Sequence, residues 1–235
     1  NDVGKKDYDN ITLESKNHYA ILDYKTRELT VEGCEWFVIS EAQIVNVYPQ
    51  NERVVIRKNR DMRFSGRVVA GLFDFVVHEC DFNYEEFKIK MEQIDSLIMY
   101  VESKQGPVNR YGEYQLTKVM SPIEDLQGTL FVDHPKNKSG KIDNPKWPYF
   151  TSLEGGRVYY DHPFTFNRHY NRQKFFFALD QFTITNLDNF DTDSIRFAGS
   201  LISGGIFPDI KEELKVRPDF SLGFIHDVSS PLPAY

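Results

Sequence analysis

Cysteine is nearly missing: the 235-residue chain holds 2, Cys34 and Cys80. That excludes a disulfide scaffold and a four-cysteine zinc site. Both lie in apolar stretches and read as buried free thiols, with a single disulfide as the alternative. No apolar run approaches the roughly 18 residues that cross a bilayer as a helix, so direct membrane insertion is not expected. Positive charge is in deficit. Lys plus Arg number 28 against 35 Asp plus Glu, a net charge of −7. A general nucleic-acid or anionic-membrane binder needs the opposite balance. No Gly-x-Ser-x-Gly elbow, phosphate loop or dinucleotide fingerprint occurs. The chain opens on Asn1 without a recognisable signal segment and stops at Ser230-Pro231-Leu232-Pro233-Ala234-Tyr235, so a mature chain or a piece of a longer one is expected.

Aromatics are plentiful: 19 Phe, 13 Tyr and 2 Trp, 14% of the chain. They suit pleated surfaces and lean the composition toward β structure. Hydrophobic residues at 40% and charged residues at 27% fit a globular fold rather than disorder. Period-two alternation is the main signal. Phe73, Phe75 and Val77 alternate with Asp74 and His78, and the phase slips at Glu79-Cys80. A slip would turn every later side chain to the other face, so a bulge or turn belongs there. Phe87, Ile89 and Met91 alternate with Glu86, Lys88, Lys90 and Glu92. Ile94, Leu97, Ile98 and Val101 also carry helical spacing, so Lys88–Val101 divides between strand in its first half and possible helix. Pro208–Leu214 reads as one short helix, with Pro and acids at its start.

The polar stretch Glu102–Pro107 separates a first β unit, residues 1–105, from a second, 106–235. The second holds a polar loop at 133–148 with three prolines and four lysines. That loop reads as an exposed excursion or as a contact loop anchored by Trp147. The two units share an ordered set of echoes. Gly66-Arg67-Val68 returns as Gly156-Arg157-Val158, and Phe73-Asp74-Phe75 as Phe164-Thr165-Phe166. Phe87, Ile89 and Met91 return as Phe175, Phe177 and Leu179, and Asp95-Ser96-Leu97 as Asp193-Ser194-Ile195. Such a repeat implies stacked units that bury one another's open faces. The expected fold is therefore mainly β, either an elongated stacked-strand, β-solenoid-like body or a β-sandwich, with at most one or two short helices.

The segments FSGRVVAGLFDFVVHECDFNYEEFKIKMEQIDSL, LEGGRVYYDHPFTFNRHY and SGGIFPDIKEELKVRPDFSLGF resemble parts of large, uncharacterised, repeat-containing β-rich exported proteins of Bacteroidota-type bacteria. The resemblance covers most of the chain from about residue 20 and carries no catalytic motif. It implies an extracytoplasmic location in the periplasm, at the outer membrane or on the cell surface. It also implies that other parts of a longer parent chain are partners. In that setting Asp95-Ser96-Leu97 and Asp193-Ser194-Ile195 fit an Asp-Ser/Thr-aliphatic O-glycosylation pattern, with Ser96 and Ser194 as acceptors.

Polar clusters that could carry chemistry are few and incomplete. Asp161, His162 and His169 sit near aromatics without metal-ligand spacing. His78, Cys80 and Cys34 lack a fourth ligand. Leu187–Asp193 gathers three carboxylates without an EF-hand's glycine and terminal glutamate. Glu85, Glu86, Glu154, Asp161 and Asp180 offer no evident glycosidase pair. Asn10-Ile11-Thr12 and Asn137-Lys138-Ser139 match the N-glycosylation pattern, relevant only in a eukaryotic secretory host. Neither a cofactor nor a metal is expected. The role expected is a non-catalytic structural or adhesion-like module of an envelope or surface protein, contacting protein or glycan. The alternative is a carbohydrate-binding module, with Trp147, Tyr149, Tyr159 and Tyr160 as stacking rings, or a carbohydrate-active enzyme.

Overall fold

The computed structural model describes residues 10–15, 18–103, 108–112, 114–161 and 170–227. In chain order the strands are β1 (Asn10–Ser15), β2 (His18–Asp23), β3 (Glu28–Glu32), β4 (Phe37–Ser40), β5 (Val45–Pro49) and β6 (Arg53–Ile56). The long strands follow: β7 (Met62–Ala70), β8 (Phe73–Asn83) and β9 (Lys88–Glu102). Next come β10 (Leu116–Lys118), β11 (Ile123–Phe131), β12 (Tyr149–Ser152), β13 (Arg157–Tyr159) and β14 (Phe176–Leu179). The last are β15 (Thr183–Ile184), β16 (Phe197–Ile202), β17 (Ile210–Val216) and β18 (Leu222–Gly223). All pairings between them are antiparallel, and they form one large sheet that is not closed into a barrel. Helical geometry among the described residues is confined to two single 3₁₀ turns, Gln50–Glu52 and Lys58–Arg60. The expectation of a mainly β chain holds, and the arrangement fits a sandwich or stacked-strand architecture.

The sheet has a trunk, β7–β8–β9–β11, that forks at both edges. β7 pairs β6 through Met62 and Arg63, and β5 through Gly66–Ala70. β11 pairs β13 at Glu124, and β12 through Gly128–Phe131. Strand β7 can bend between its two partners because Gly66 adopts φ +136°, where a Cβ would fall 2.3 Å from the Tyr48 carbonyl oxygen. One arm runs β6–β3–β2–β1; the other runs β13–β14–β16–β17–β18. Both halves of the chain share one apolar core. Phe75 of β8 packs on Phe150 of β12 with ring centroids 5.0 Å apart, and Phe73 on Phe190 at 4.8 Å. The Leu72 N–H donates to the Leu187 carbonyl at 2.8 Å, tying the β7–β8 turn to the segment after β15.

The phase slip near Cys80 is a bulge. Phe64 faces Cys80 and Gly66 faces Val77, so β8 carries one extra residue there. His78 and Glu79 accordingly both point to solvent between buried Val77 and Cys80. The helical spacing in β9 has the same origin. Val76 faces Ser96 while Val77 faces Ile94, so a bulge at Asp95 separates Ile94 from Leu97 by three positions on one face. All of Lys88–Glu102 is therefore strand, not part helix. The helix expected at Pro208–Leu214 is likewise absent. Ile210 and Leu214 are buried as alternate-face residues of β17, which pairs β16. A four-residue spacing fits both periods, and the partner strand decides between them.

The sequence echoes occupy different sheet positions. Gly66-Arg67-Val68 lies in β7, which reaches β9 only through β8. Arg157-Val158 lies in β13, which pairs directly with β14. Phe164–Phe166 lies outside the described residues. Phe87 is 3% exposed, whereas Phe175 is only partly buried. Phe87→Ala is accordingly expected to cost about 3–5 kcal/mol, and Phe175→Ala about half as much, in urea unfolding. Equal losses would refute this difference in burial.

The 133–148 loop is anchored rather than a free excursion. Asp133 is fully buried, Asn137 is 3% exposed and Pro148 is buried. Lys138 Nζ donates to the carbonyls of Pro135 at 2.6 Å and Glu85 at 3.1 Å, docking the loop on the β8–β9 turn. The Asn137 amide donates to Asp133 and to the Ile142 carbonyl, so in the folded chain it is engaged within the loop. Lys136 and Lys141 remain exposed.

Candidate functional site

The four candidate rings fall into three places. Trp147 and Tyr149 stand on the outer face of the sheet with Phe131. Phe131 and Tyr149 are stacked at 4.5 Å and 11°, and Trp147 lies 4.7 Å from Tyr149. Lys88 Nζ lies 6.0 Å from the Phe131 centroid. Phe131 and Tyr149 thus cover one face of each other, and Trp147 meets the two rings at 71° and 60°.

Tyr159 belongs to an ionic cluster on β11 and β13. Its hydroxyl donates to the Asp125 carboxylate, and Arg172 lies over its ring at 3.6 Å. Arg172 also pairs with Glu124, and with Asp161 at 3.3 Å. Arg157 reaches Asp125 at 3.3 Å. Burial, and then the Asp125 acceptor, push the Tyr159 phenol above its ordinary pKa. The carboxylates here are spent on guanidinium groups. His162 and His169, the partners proposed for Asp161, lie outside the described residues.

Tyr160 lines a cavity of about 350 Å³ between the β14–β16–β17 arm and the segment after β18. Its other walls are Tyr170, Phe175, Leu201, Phe207, Ile210, Gly223, Phe224 and His226. Local structure sets each ring. The Asn171 carbonyl accepts from the Lys174 and Phe175 N–H groups, at 2.9 and 2.8 Å, closing the turn that carries Phe175. Phe175 then stacks on Tyr170 at 4.0 Å and meets Tyr160 edge-on at 5.7 Å. The Ser203 hydroxyl accepts from the Phe207 N–H at 2.9 Å and donates to the Phe207 carbonyl at 3.0 Å, fixing Phe207 at the rim. Phe224 rests on Phe177 of the core at 5.5 Å. His226 Nδ1 lies 2.8 Å from the Glu212 carboxylate.

No family model, no curated protein and no solved structure matches this chain.

Of the cavity walls Phe207 is 43% exposed, and Ile225, 65% exposed, follows the wall residue Phe224. Beside the cavity runs a polar groove of about 560 Å³, lined by Asp180, Glu212 and Glu213 among Arg196, Lys211 and Lys215. Burial pushes the Tyr160 phenol up to about 12. Its folded pKa therefore exceeds the ordinary 10. The stability it contributes is complete below about pH 10 and is lost as pH rises toward about 12. An absorbance titration of the tyrosines is expected to lose its most alkaline phase in Tyr160→Phe. An unchanged titration would show that Tyr160 is not shielded.

The remaining candidates stand apart. Ser96 is half-buried inside β9 between Val76 and Glu124. Ser194 is exposed in a turn, where its hydroxyl donates to the Asp191 carbonyl at 2.9 Å. Cys34 and Cys80 are both free thiols, and burial pushes both thiol pKa values up. His78 pairs with Asp95 at 2.7 Å on the surface. Among the described residues no three His, Cys, Asp or Glu side chains converge on one point. Sequence reasoning missed Tyr170, Phe175, Phe207, Phe224 and His226 as one site. The available signal was Gly204-Gly205-Ile206-Phe207-Pro208, large apolar residues inside an evident turn.

Proposed function

We propose that the chain is a non-catalytic binding and structural module of a larger exported protein, with the aromatic cavity as its contact site. The observation that supports this reading is the cavity itself. It is concave and mostly apolar, and one of its wall rings, Phe207, is partly exposed to solvent. The acid groups best placed for chemistry are engaged elsewhere: Glu124, Asp125 and Asp161 hold arginines, and Glu212 holds His226. Sugar stacking is less favoured, because Phe131 covers one face of Tyr149 and the Arg172 guanidinium one face of Tyr159. The exported setting follows from the sequence resemblance alone.

Binding of N-phenyl-1-naphthylamine, a neutral dye that brightens in apolar surroundings, tests this reading. Wild type is expected to brighten the dye. Phe207→Asp, at a rim position 43% exposed, is expected to suppress the signal without moving the urea midpoint. Equal brightening by both proteins, or none by wild type, would refute the cavity as the contact site.

A further inference from the structure

We infer that the cavity takes an uncharged, largely apolar small molecule carrying one hydrogen-bond acceptor, which it seats against the Tyr160 hydroxyl. The inference rests on reading the cavity as the contact site and adds the chemistry of the occupant. Size comes first. A volume of about 350 Å³ lies at the small end of the roughly 300–1,000 Å³ of small-molecule pockets, so the site suits an occupant no larger than about two fused rings. The walls come next. Five aromatic rings with Leu201 and Ile210 reward apolar surface and offer few polar atoms.

Charge then narrows the class. The ionisable pair at the cavity, Glu212 and His226, is mutually satisfied at 2.8 Å. A charged occupant would lose its hydration there without meeting an unpaired counter-charge, which is costly. The remaining polar opportunity is specific. Tyr160 Oη has no hydrogen-bond partner among the described residues, while the ring beneath it is held edge-on by Phe175 at 5.7 Å. Shielding keeps this group a protonated phenol far above neutrality, so it stays a donor. A carbonyl or ether oxygen on the occupant satisfies it; a bare hydrocarbon leaves it unpaired.

Three naphthalenes of similar shape separate these contributions: 2-acetylnaphthalene, 2-ethylnaphthalene and the 2-naphthoate anion. Their binding to wild type and to Tyr160→Phe is measured by equilibrium dialysis. In wild type the acetyl compound is expected to bind about 3–10-fold more tightly than the ethyl compound, the worth of one neutral hydrogen bond. It should exceed the naphthoate by at least about tenfold. Tyr160→Phe should erase the acetyl–ethyl difference while ethyl binding and the urea midpoint stay in place. Naphthoate binding as tightly as the ketone would overturn the inference, as would an acetyl preference that survives Tyr160→Phe. If none of the three binds wild type, the contact-site reading falls with it.

Discussion

Asp133→Ala is expected to destabilise the chain by about 3–5 kcal/mol, because each buried donor left without its partner costs about 1–3 kcal/mol. Asp133 is fully buried. Its Oδ1 accepts from the His134 N–H at 2.6 Å and the Asn144 amide at 3.0 Å. Its Oδ2 accepts from the Asn137 amide at 2.8 Å and the Gln43 amide at 3.0 Å. No cation takes part in these contacts. Four hydrogen bonds hold the side chain and offset its lost hydration. Alanine would strand these donors in the interior. Asp133→Asn keeps the shape but turns an NH₂ toward two of them, so it should recover only part of the loss. Urea unfolding of both variants decides the matter. A change below about 1 kcal/mol for alanine would mean that water replaces the carboxylate.

Phe150→Ala should cost a similar amount, about 3–5 kcal/mol, by opening a cavity where the second half of the chain packs on the trunk. Phe150 is fully buried, with Phe75 at 5.0 Å and Phe182 at 6.1 Å. Diagonally across the ladder, opposite Ser152, lies Gly128, where an added Cβ would fall 2.3 Å from Phe150 Cζ and 2.6 Å from the Thr151 carbonyl oxygen. Gly128→Ala is therefore destabilising alone. In the double variant the ring clash vanishes while the backbone clash remains. The combined loss should fall short of the two single losses by about 1 kcal/mol, as expected for residues in contact. Strict additivity in equilibrium unfolding would show that the ring does not occupy the space above Gly128.

Alternation made the trunk legible. Phe73–Val77 and Phe87–Met91 show their inner faces directly, and even the bulge beside Cys80 left its mark as a phase slip. Strand β17 was hidden because Ile210 and Leu214 satisfy two periods at once. The second half of β9 was masked because its own bulge imitates helical spacing. The 133–148 loop misled for another reason. Its composition is polar, but its order comes from one carboxylate whose partner Gln43 lies 90 positions away. Nothing local announces such a pair. The cavity was half visible: Tyr160 stood out as an aromatic, while the rings that complete the wall arrive from three separate turns.

The forked sheet also bears on how copies of this chain behave toward one another. A forked sheet ends in more than two open strands. Among the described residues, β1, β4, β10, β15 and β18 each pair with a single neighbour. Exposed strand edges invite pairing with another chain and hence aggregation. Here β4 has 4 residues, β10 has 3, and β15 and β18 have 2 each. Branching distributes the unsatisfied backbone over several short edges, so none of these four offers a neighbour a template long enough to extend.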